Sequence, residues 1–486
     1  MVLGDSQASL MSDSGGKRDE IPLAIDLDGT LIETDLLVET AFEYLGREPQ
    51  GVFNLFVWLS KGRANLKREL ARRSQVDVAL LPYSPSVLEY IREARRIGRK
   101  VYLASASDGH LVEKIALHLE LDGWFASDGT LNLSGRHKLA RLTTEFGHQE
   151  FDYLGNSTDD LPVWQGARRA VIVGSRSMSE RVKISNSDYE VLSSRTFQPR
   201  AWLRLLRPHQ WAKNTLVFIP LLASHLFNGT TVLQSLGAFV SFCLCASGVY
   251  VLNDLVDIHA DRKHPTKKNR PLASGTVSLQ AAIILAPILI ALAFLLAFRI
   301  SHLFVLVLAL YTAITASYSF FLKQKMLLDV VTLALLYTIR VIAGAAAIDV
   351  AASQWLLGFS SFLFLSLALI KRYSEMALRF DLSLPDPENR AYRASDLPIL
   401  SALAAAAGFS AVVVFCLYLS SDVVSSLYHR PNVLWLACPL LIYWISRMLL
   451  LSHRRFIDDD PVVFALRDRT SLATIILIGL LGVLAI

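Results

Sequence analysis

The sequence predicts two architectures in one chain: an N-terminal α/β domain built on a Rossmann-like sheet, then an all-α bundle of nine membrane-spanning helices. Composition and charge carry the division. Of 486 residues 53% are hydrophobic, above the roughly 45–50% of an ordinary soluble domain. Residues 1–200 hold 25 Lys and Arg against 28 Asp and Glu, a net −3, whereas residues 201–486 hold 23 against 15, a net +8. Apolar runs of spanning length fall only in the second part, so a disordered, collagen-like or coiled-coil chain is excluded.

Residues 1–20 read as a flexible polar tail, and they have no apolar core of the kind a signal peptide needs, which points to a cytosolic N-terminal domain. The α/β domain spans 21–195. Its first strand, Ile21–Leu27, is a short apolar run that delivers Asp26 and Asp28 at its C-terminal end before Gly29-Thr30, where α/β sheets place their active sites. A mostly helical stretch, about 36–85, precedes a second strand over Arg99–Ser105. A helical run opens at Lys138. Strands follow at Phe151–Gly155, leading into Asn156-Ser-Thr-Asp159-Asp160, and at Arg169–Gly174.

Residues 196–209 form a linker with Trp, Leu and Arg interleaved, suited to an interfacial helix in the headgroup plane. The bundle spans 210–486. Its nine apolar segments, about 210–227, 232–252, 277–298, 302–322, 326–348, 353–370, 399–420, 432–450 and 470–486, are each near the roughly 20 residues that cross a bilayer. Basic residues fix the orientation. Arg262, Lys263, Lys267, Lys268 and Arg270, then Lys323 and Lys325, then Lys371, Arg372, Arg379, Arg390 and Arg393, then Arg447, Arg454, Arg455, Arg467 and Arg469, all follow even-numbered spans. Arg299 and Arg430 follow odd ones. The even-to-odd loops are therefore cytosolic, in a multi-pass protein of the cell (inner) membrane. The cysteines, Cys243, Cys245, Cys416 and Cys438, sit in apolar stretches with no metal or disulfide spacing.

The loop after the second span carries the chemistry. Asn253, Asp257 and Asp261 recur every four residues and Asp254 lies three before Asp257, so a helix continuing from the span puts them on one face. Carboxylates so gathered need a cation, and hard oxygen ligands suit Mg²⁺, which is held by a few carboxylates together with substrate phosphates. Lys267 and Arg270 stand ready for those phosphates. Within the first span Gln210, Lys213 and Asn214 share a face and would line a polar cavity. Arg340 lies inside the fifth span on the face of Asp329 and is expected to bind phosphate or neutralise that aspartate.

The pattern Asn253-Asp254-x-x-Asp257-x-x-x-Asp261-Arg262 before Arg270-Pro271 resembles the first aspartate-rich motif of the UbiA-type intramembrane prenyltransferase superfamily, whose span count is nine. Arg207-Pro208-His-Gln210-Trp211-Ala-Lys213-Asn214, Tyr318-Ser-Phe-Phe-Leu-Lys323 with Asp329, and Asp459-Asp460-Pro461 before Arg467-Asp468 are similar to its phosphoribosyltransferase branch. That resemblance implies a polyprenyl phosphate acceptor, phosphoribosyl diphosphate as donor and Mg²⁺ as cofactor, with Asp254, Asp257 and Asp261 on the metal. Tyr318, Lys323, Asp329 and Arg340 would serve substrate binding beside Asn253. The branch with aromatic acceptors has a second Asp-x-x-x-Asp motif. Here Asp329-Val-Val-Thr-Leu333 lacks the second carboxylate, which weakens a second metal–diphosphate site and leaves a lipid phosphate to Lys323 and other cations.

In the α/β part, Asp26-x-Asp28-Gly29-Thr30, Ser105, Lys138 and Gly155-Asn156-Ser-Thr-Asp159-Asp160, in that order, resemble the four motifs of the haloacid-dehalogenase superfamily, with residues 36–85 as a small helical cap. The resemblance implies that Asp26 is a nucleophile and Asp28 a general acid/base, that Ser105 and Lys138 hold phosphoryl oxygens, and that Asp26, Asp28, Asn156 and Asp160 serve Mg²⁺. Asn156 replaces an aspartate of the pattern, which removes one negative charge from the metal site. The joint expectation is a transferase whose product is dephosphorylated by the fused domain. The alternatives are a prenyltransferase moving a prenyl group from prenyl diphosphate to an aromatic acceptor beside a non-catalytic N-terminal domain, and a transporter. Nucleic-acid binding is not expected, because the basic residues are spread over loops as topology requires.

Overall fold

The computed structural model describes residues 21–127, 132–174, 180–182, 186, 188–193, 198–383, 391–457 and 460–486. The expected tail over 1–20, Arg390 and Asp459 lie outside the described residues. The chain divides into two compact units, Met1–Leu205 with Val251–Ile284, and Leu206–Tyr250 with Leu285–Ile486. The aspartate-rich loop thus belongs to the first unit, whereas the sequence boundaries assign everything after 210 to the bundle. That loop is polar, and its side chains find charged partners in the α/β part.

The first unit holds β1 (Leu23–Ile25), α1 (Leu36–Arg47), α2 (Val52–Ser60), α3 (Arg63–Arg73), α4 (Pro85–Arg96), β2 (Val101–Asp108), α5 (Gly109–His118), β3 (Gly123–Ser127), α6 (Gly135–Phe146), β4 (Asp152–Gly155), α7 (Leu161–Gly166), β5 (Arg169–Val173), β6 (Tyr189–Ser193) and α8 (Pro199–Leu206). The helices α1 to α3 are the expected cap. All strands are parallel, in the order β3-β2-β1-β4-β5-β6. Alternate residues feed opposite faces. Leu23, Ile25, Leu103, Leu154 and Val171 pack with Val87, Ile91 and Ile115, while Ala24, Ala104, Tyr153 and Ile172 pack with Leu142, Val163 and Trp164. A parallel sheet covered on both sides accounts for the strands reading as continuous apolar runs. The order reverses between β1 and β4, so a crevice opens at their C-terminal ends. β3 and β6 were not among the strands read from the sequence.

In α8, Ala201 and Leu205 are buried one turn apart while Arg200, Leu203 and Arg204 are exposed. The second unit continues with α9 (Ile219–Ser224), α10 (Gly229–Val256), α11 (Ile258–Lys263, back in the first unit), α12 (Leu279–Phe298), α13 (His302–Phe320), α14 (Leu328–Ala347), α15 (Gln354–Asp381), α16 (Leu397–Leu419), α17 (Asp422–Leu427), α18 (Ala437–His453), α19 (Pro461–Ala465) and α20 (Arg469–Ala485). Among the described residues seven helices are long and apolar enough to cross a membrane, and Arg469–Ala485 is a shorter apolar one.

The first expected span departs from a regular helix. Pro208–Phe218 is a 3₁₀ turn run that passes into α9 at Pro220, and the two prolines remove backbone donors that a continuous α-helix uses. This segment packs on α14. Gly344 is what permits it, because a Cβ there would collide with the Val217 carbonyl oxygen. α14 is the most enclosed helix, with Asp329, Tyr337 and Arg340 all buried, whereas α12 and α13 present Ile284, Ile288, Leu295, Leu306 and Leu310 outward, as lipid-facing helices do.

Candidate functional site

In the α/β half the strand ends build a cleft of about 410 Å³ lined by Asp26, Asp28, Lys67, Lys138, Asn156 and Asp160 among others. β1 and β4 are neighbours, so the chain leaving one carries Asp26 and the chain leaving the other carries Asn156. Lys138, from α6, donates to Asp26 at 2.7 Å, to the Tyr153 hydroxyl at 2.8 Å and to Asp160 at 3.4 Å. Burial alone would strip its proton, but the Asp26 and Asp160 carboxylates outweigh burial and hold it as ammonium. Asp28 accepts from the Leu36 amide at 2.7 Å and from the Ser107 hydroxyl at 2.8 Å. Burial raises the Asp28 carboxyl to about 6, assisted by Asp35. Burial likewise takes Asp26 to about 7 against the pull of Lys138.

Asp160 orders the turn after β4, accepting from the Asn156 and Ser157 amides at 3.1 and 3.0 Å and from the Tyr153 hydroxyl at 2.7 Å. This sets the Asn156 side chain against Gly29. A Cβ at Gly29, whose φ is +75°, would collide with the Asn156 amide nitrogen, so both the conformation and the space demand glycine. The Asn156 Oδ1 atom is buried without a hydrogen-bond partner. An orphaned carbonyl oxygen beside two carboxylates is a hard donor set, and it fits a small divalent cation.

The aspartate-rich segment is a second candidate site. Its backbone stays helical through the end of α10, with the Asp257 amide donating to the Asn253 carbonyl and the Asp261 amide to the Asp257 carbonyl, each at 2.8 Å. Asp254 and Asp261 are buried and converge on one guanidinium, Arg270 Nη1, at 3.0 and 2.7 Å. Burial raises the Asp261 carboxyl, opposed by Arg270. Asn253 and Asp257 are half-buried or more open and Lys267 is exposed. Among the described residues no three His, Cys, Asp or Glu side chains form a ready-made metal cage.

The bundle holds a third cluster. Lys213 donates to Asp460 Oδ2 at 2.6 Å and Lys371 at 3.1 Å, and the Tyr337 hydroxyl donates to the same carboxylate at 2.8 Å. Burial would raise the Asp460 carboxyl, but Lys371 and Lys213 hold it well below the usual carboxylate range. Beside it Arg340 donates to Asn214 Oδ1 at 2.9 Å and to the Tyr311 hydroxyl at 3.1 Å. Arg340 does not neutralise Asp329. The two share a face, but eleven residues of helix separate them by about 16 Å, and Asp329 instead pairs with Arg372 at 2.6 Å and accepts from Tyr392 at 2.5 Å.

The remaining expected residues are placed less centrally. Ser105 is fully buried and its hydroxyl accepts from the Ser107 amide at 3.0 Å. Gln210, Tyr318 and Lys323 are half-buried or more open. In the 3₁₀ run Lys213 and Asn214 are both buried, Lys213 on Asp460 and Asn214 on Arg340, while Gln210 is half-buried. Sequence reasoning did not name Ser107, Tyr153, Lys67, Tyr311, Tyr337, Lys371 or Arg372 as site residues. A signal existed for Tyr337, three residues before Arg340 on one helix; Tyr153 and Tyr311 read as ordinary core aromatics.

Comparison with known proteins bears on the helical part above all. Residues 215–475 match the UbiA prenyltransferase family. The uncharacterized protein y4nM of Sinorhizobium fredii is 38% identical over 458 residues, which cover 93% of this chain and 88% of that protein. Decaprenyl-phosphate phosphoribosyltransferase of Mycolicibacterium smegmatis is 37% identical over 182 residues, 36% of this chain and 57% of the enzyme. A solved UbiA homolog from Archaeoglobus fulgidus, bound to GPP and Mg²⁺, superposes with a TM-score of 0.45 at 16% identity, covering 59% of this chain and 99% of its own. With the family match taking in more than half of its length, the chain belongs to the UbiA prenyltransferase family.

Proposed function

We propose that the protein transfers 5-phosphoribose from phosphoribosyl diphosphate to a polyprenyl phosphate and then removes the 5-phosphate in its α/β domain. The observation that carries the first step is the convergence of Asp254 and Asp261 on Arg270: two carboxylates and a guanidinium at one helix end suit a diphosphate and its cation together. The similarity to decaprenyl-phosphate phosphoribosyltransferase supports the same reading. Asp254, Asp257 and Asp261 would hold Mg²⁺, which supplies charge neutralisation to a departing diphosphate. Arg270 and Lys267 bind phosphate oxygens. An oxygen of the lipid phosphate attacks the anomeric carbon, the bond from that carbon to the diphosphate breaks, and the electron pair leaves with diphosphate. The nucleophile is already ionised, so no general base is required. Lys213, buried, and Lys371, half-buried, are cations of the bundle that suit the anionic headgroup of the acceptor. Asp329 is sequestered by Arg372 and Tyr392, which speaks against a second metal site of the kind a prenyl diphosphate donor uses.

In the α/β cleft Asp26 attacks phosphorus, Asp28 gives its proton to the departing sugar oxygen, and water then hydrolyses the aspartyl-phosphate with Asp28 taking a proton back. Lys138 holds Asp26 in place, and Asn156, Asp26 and Asp28 present the oxygens for a divalent cation. Mass spectrometry of lipid products after incubation with polyprenyl phosphate, phosphoribosyl diphosphate and Mg²⁺ tests the reading. A phosphoribosylated lipid is expected, with diphosphate release lowered at least about 100-fold in Asp257→Ala. Transfer of a prenyl group to an aromatic acceptor instead, or unchanged release in Asp257→Ala, would overturn it.

A further inference from the structure

We propose that Glu39, on α1 of the cap, is a positioning residue for the aspartate-rich segment, so that the fused α/β domain holds the donor site in its working shape. The inference rests on the reading of residues 253–270 as that donor site. Glu39 has no exposed surface, and its carboxylate receives Arg262 Nη1 at 2.8 Å and Nη2 at 2.6 Å, with the Thr34 hydroxyl adding a bond at 2.7 Å. The third edge of the guanidinium, Nε, donates to the Ala273 carbonyl at 3.0 Å. Arg262 is thereby committed to protein on every side, unlike Lys267, which is exposed.

Its position in the chain gives the contact its meaning. Arg262 directly follows Asp261, and Ala273 lies three residues beyond Arg270. One guanidinium therefore ties together the two ends of the loop that carries Lys267 and Arg270, and anchors both on Glu39. The same first turn of α1 also reaches the α/β cleft, where the Leu36 amide donates to Asp28. Asp35, which caps α1, accepts from Gln280 at 3.1 Å. A buried ion pair of this kind adds little net stability compared with apolar packing, because desolvation consumes most of its attraction. What it supplies is geometry, since a bidentate fork admits one orientation.

The test uses the full-length protein in detergent. Calorimetry measures the binding of inorganic diphosphate with Mg²⁺, and hydrogen exchange follows residues 258–273, in the wild type, in Glu39→Gln, in Glu39→Asp and in the exchanged pair Glu39→Arg with Arg262→Glu. Glu39→Gln is expected to weaken diphosphate binding about tenfold, the scale of losing a supporting contact behind a ligand, and to speed exchange in 258–273 while the strands β1 and β2 stay protected. Glu39→Asp should fall between, and the exchanged pair should recover part of both effects. Wild-type affinity in Glu39→Gln, whether or not exchange rises, would overturn the proposal. Where exchange rises in the strands too, Glu39→Asp replaces Glu39→Gln and is held to the same criteria. A wild type that takes up no diphosphate refutes the donor-site reading; the positioning role is then upheld or refuted by exchange in 258–273 alone.

Discussion

Asp460 shows how much a single residue can carry. Its carboxylate is buried yet ionised, because two lysines and a tyrosine hydroxyl replace the water it has lost. Its carboxyl is held below the ordinary value of about 3.9, so the stabilisation is present above that value and is lost as pH falls through it toward the lower folded value. Asp460→Asn should thus destabilise the fold at pH 7 by about 3–5 kcal/mol, because two lysines are left without their counter-charge, and so lower the unfolding temperature. The gap between variant and wild type should narrow at pH 3, as thermal unfolding in detergent will show. Part of this scale is legible in the sequence: the strand end at Asp26 and the spacing of Asn253, Asp254, Asp257 and Asp261 stand out by themselves, whereas Lys138 and Asp160 are singled out only by the resemblance to the haloacid-dehalogenase motifs. Asp460 reads there only as part of a motif, and its partners Lys371 and Tyr337 are 89 and 123 residues away, beyond the reach of any local pattern.

Among elements, the segment Pro208–Phe218 departs furthest from its expected form. Hydropathy gives it the same weight as a spanning helix, but Pro208 and Pro220 deny it the donors of one, and its polar residues Lys213 and Asn214 turn to buried partners. Its seat against α14 depends on Gly344. Gly344→Ala would drive a methyl group into the Val217 carbonyl, and since backbone cannot yield as a side chain tip does, a loss of about 1–3 kcal/mol is expected. Thermal unfolding in detergent measures it, and an unchanged midpoint would show that the run is not held there. The strands tell the opposite story: β1, β2, β4 and β5 were visible as apolar runs because both faces of a parallel sheet are covered. β3, with an exposed Trp124, and β6, with an exposed Val191, are edge strands whose composition carries no such signature.

For the whole molecule, the proposed pairing of transfer in the bundle with dephosphorylation in the α/β domain predicts an ordered product series. Asp26→Asn, given both substrates and Mg²⁺, should accumulate the 5-phosphorylated lipid while diphosphate release continues; an unchanged product ratio would show that the α/β domain does not act on this lipid. The sequence by itself determined the class of each part, because hydrophobic burial writes itself into composition and period, and it determined which residue types can do chemistry. It also supplied the carboxylates at 254, 257 and 261 on which the proposed donor site rests. Only the tertiary structure decided which charges meet. Asp329 went to Arg372 rather than Arg340, Arg262 to Glu39, and Asp254 and Asp261 to Arg270. A buried charge must find an opposite charge or a set of neutral hydrogen-bond partners within a few ångströms, and which of them lie that close is set by how helices and loops far apart in the chain are packed.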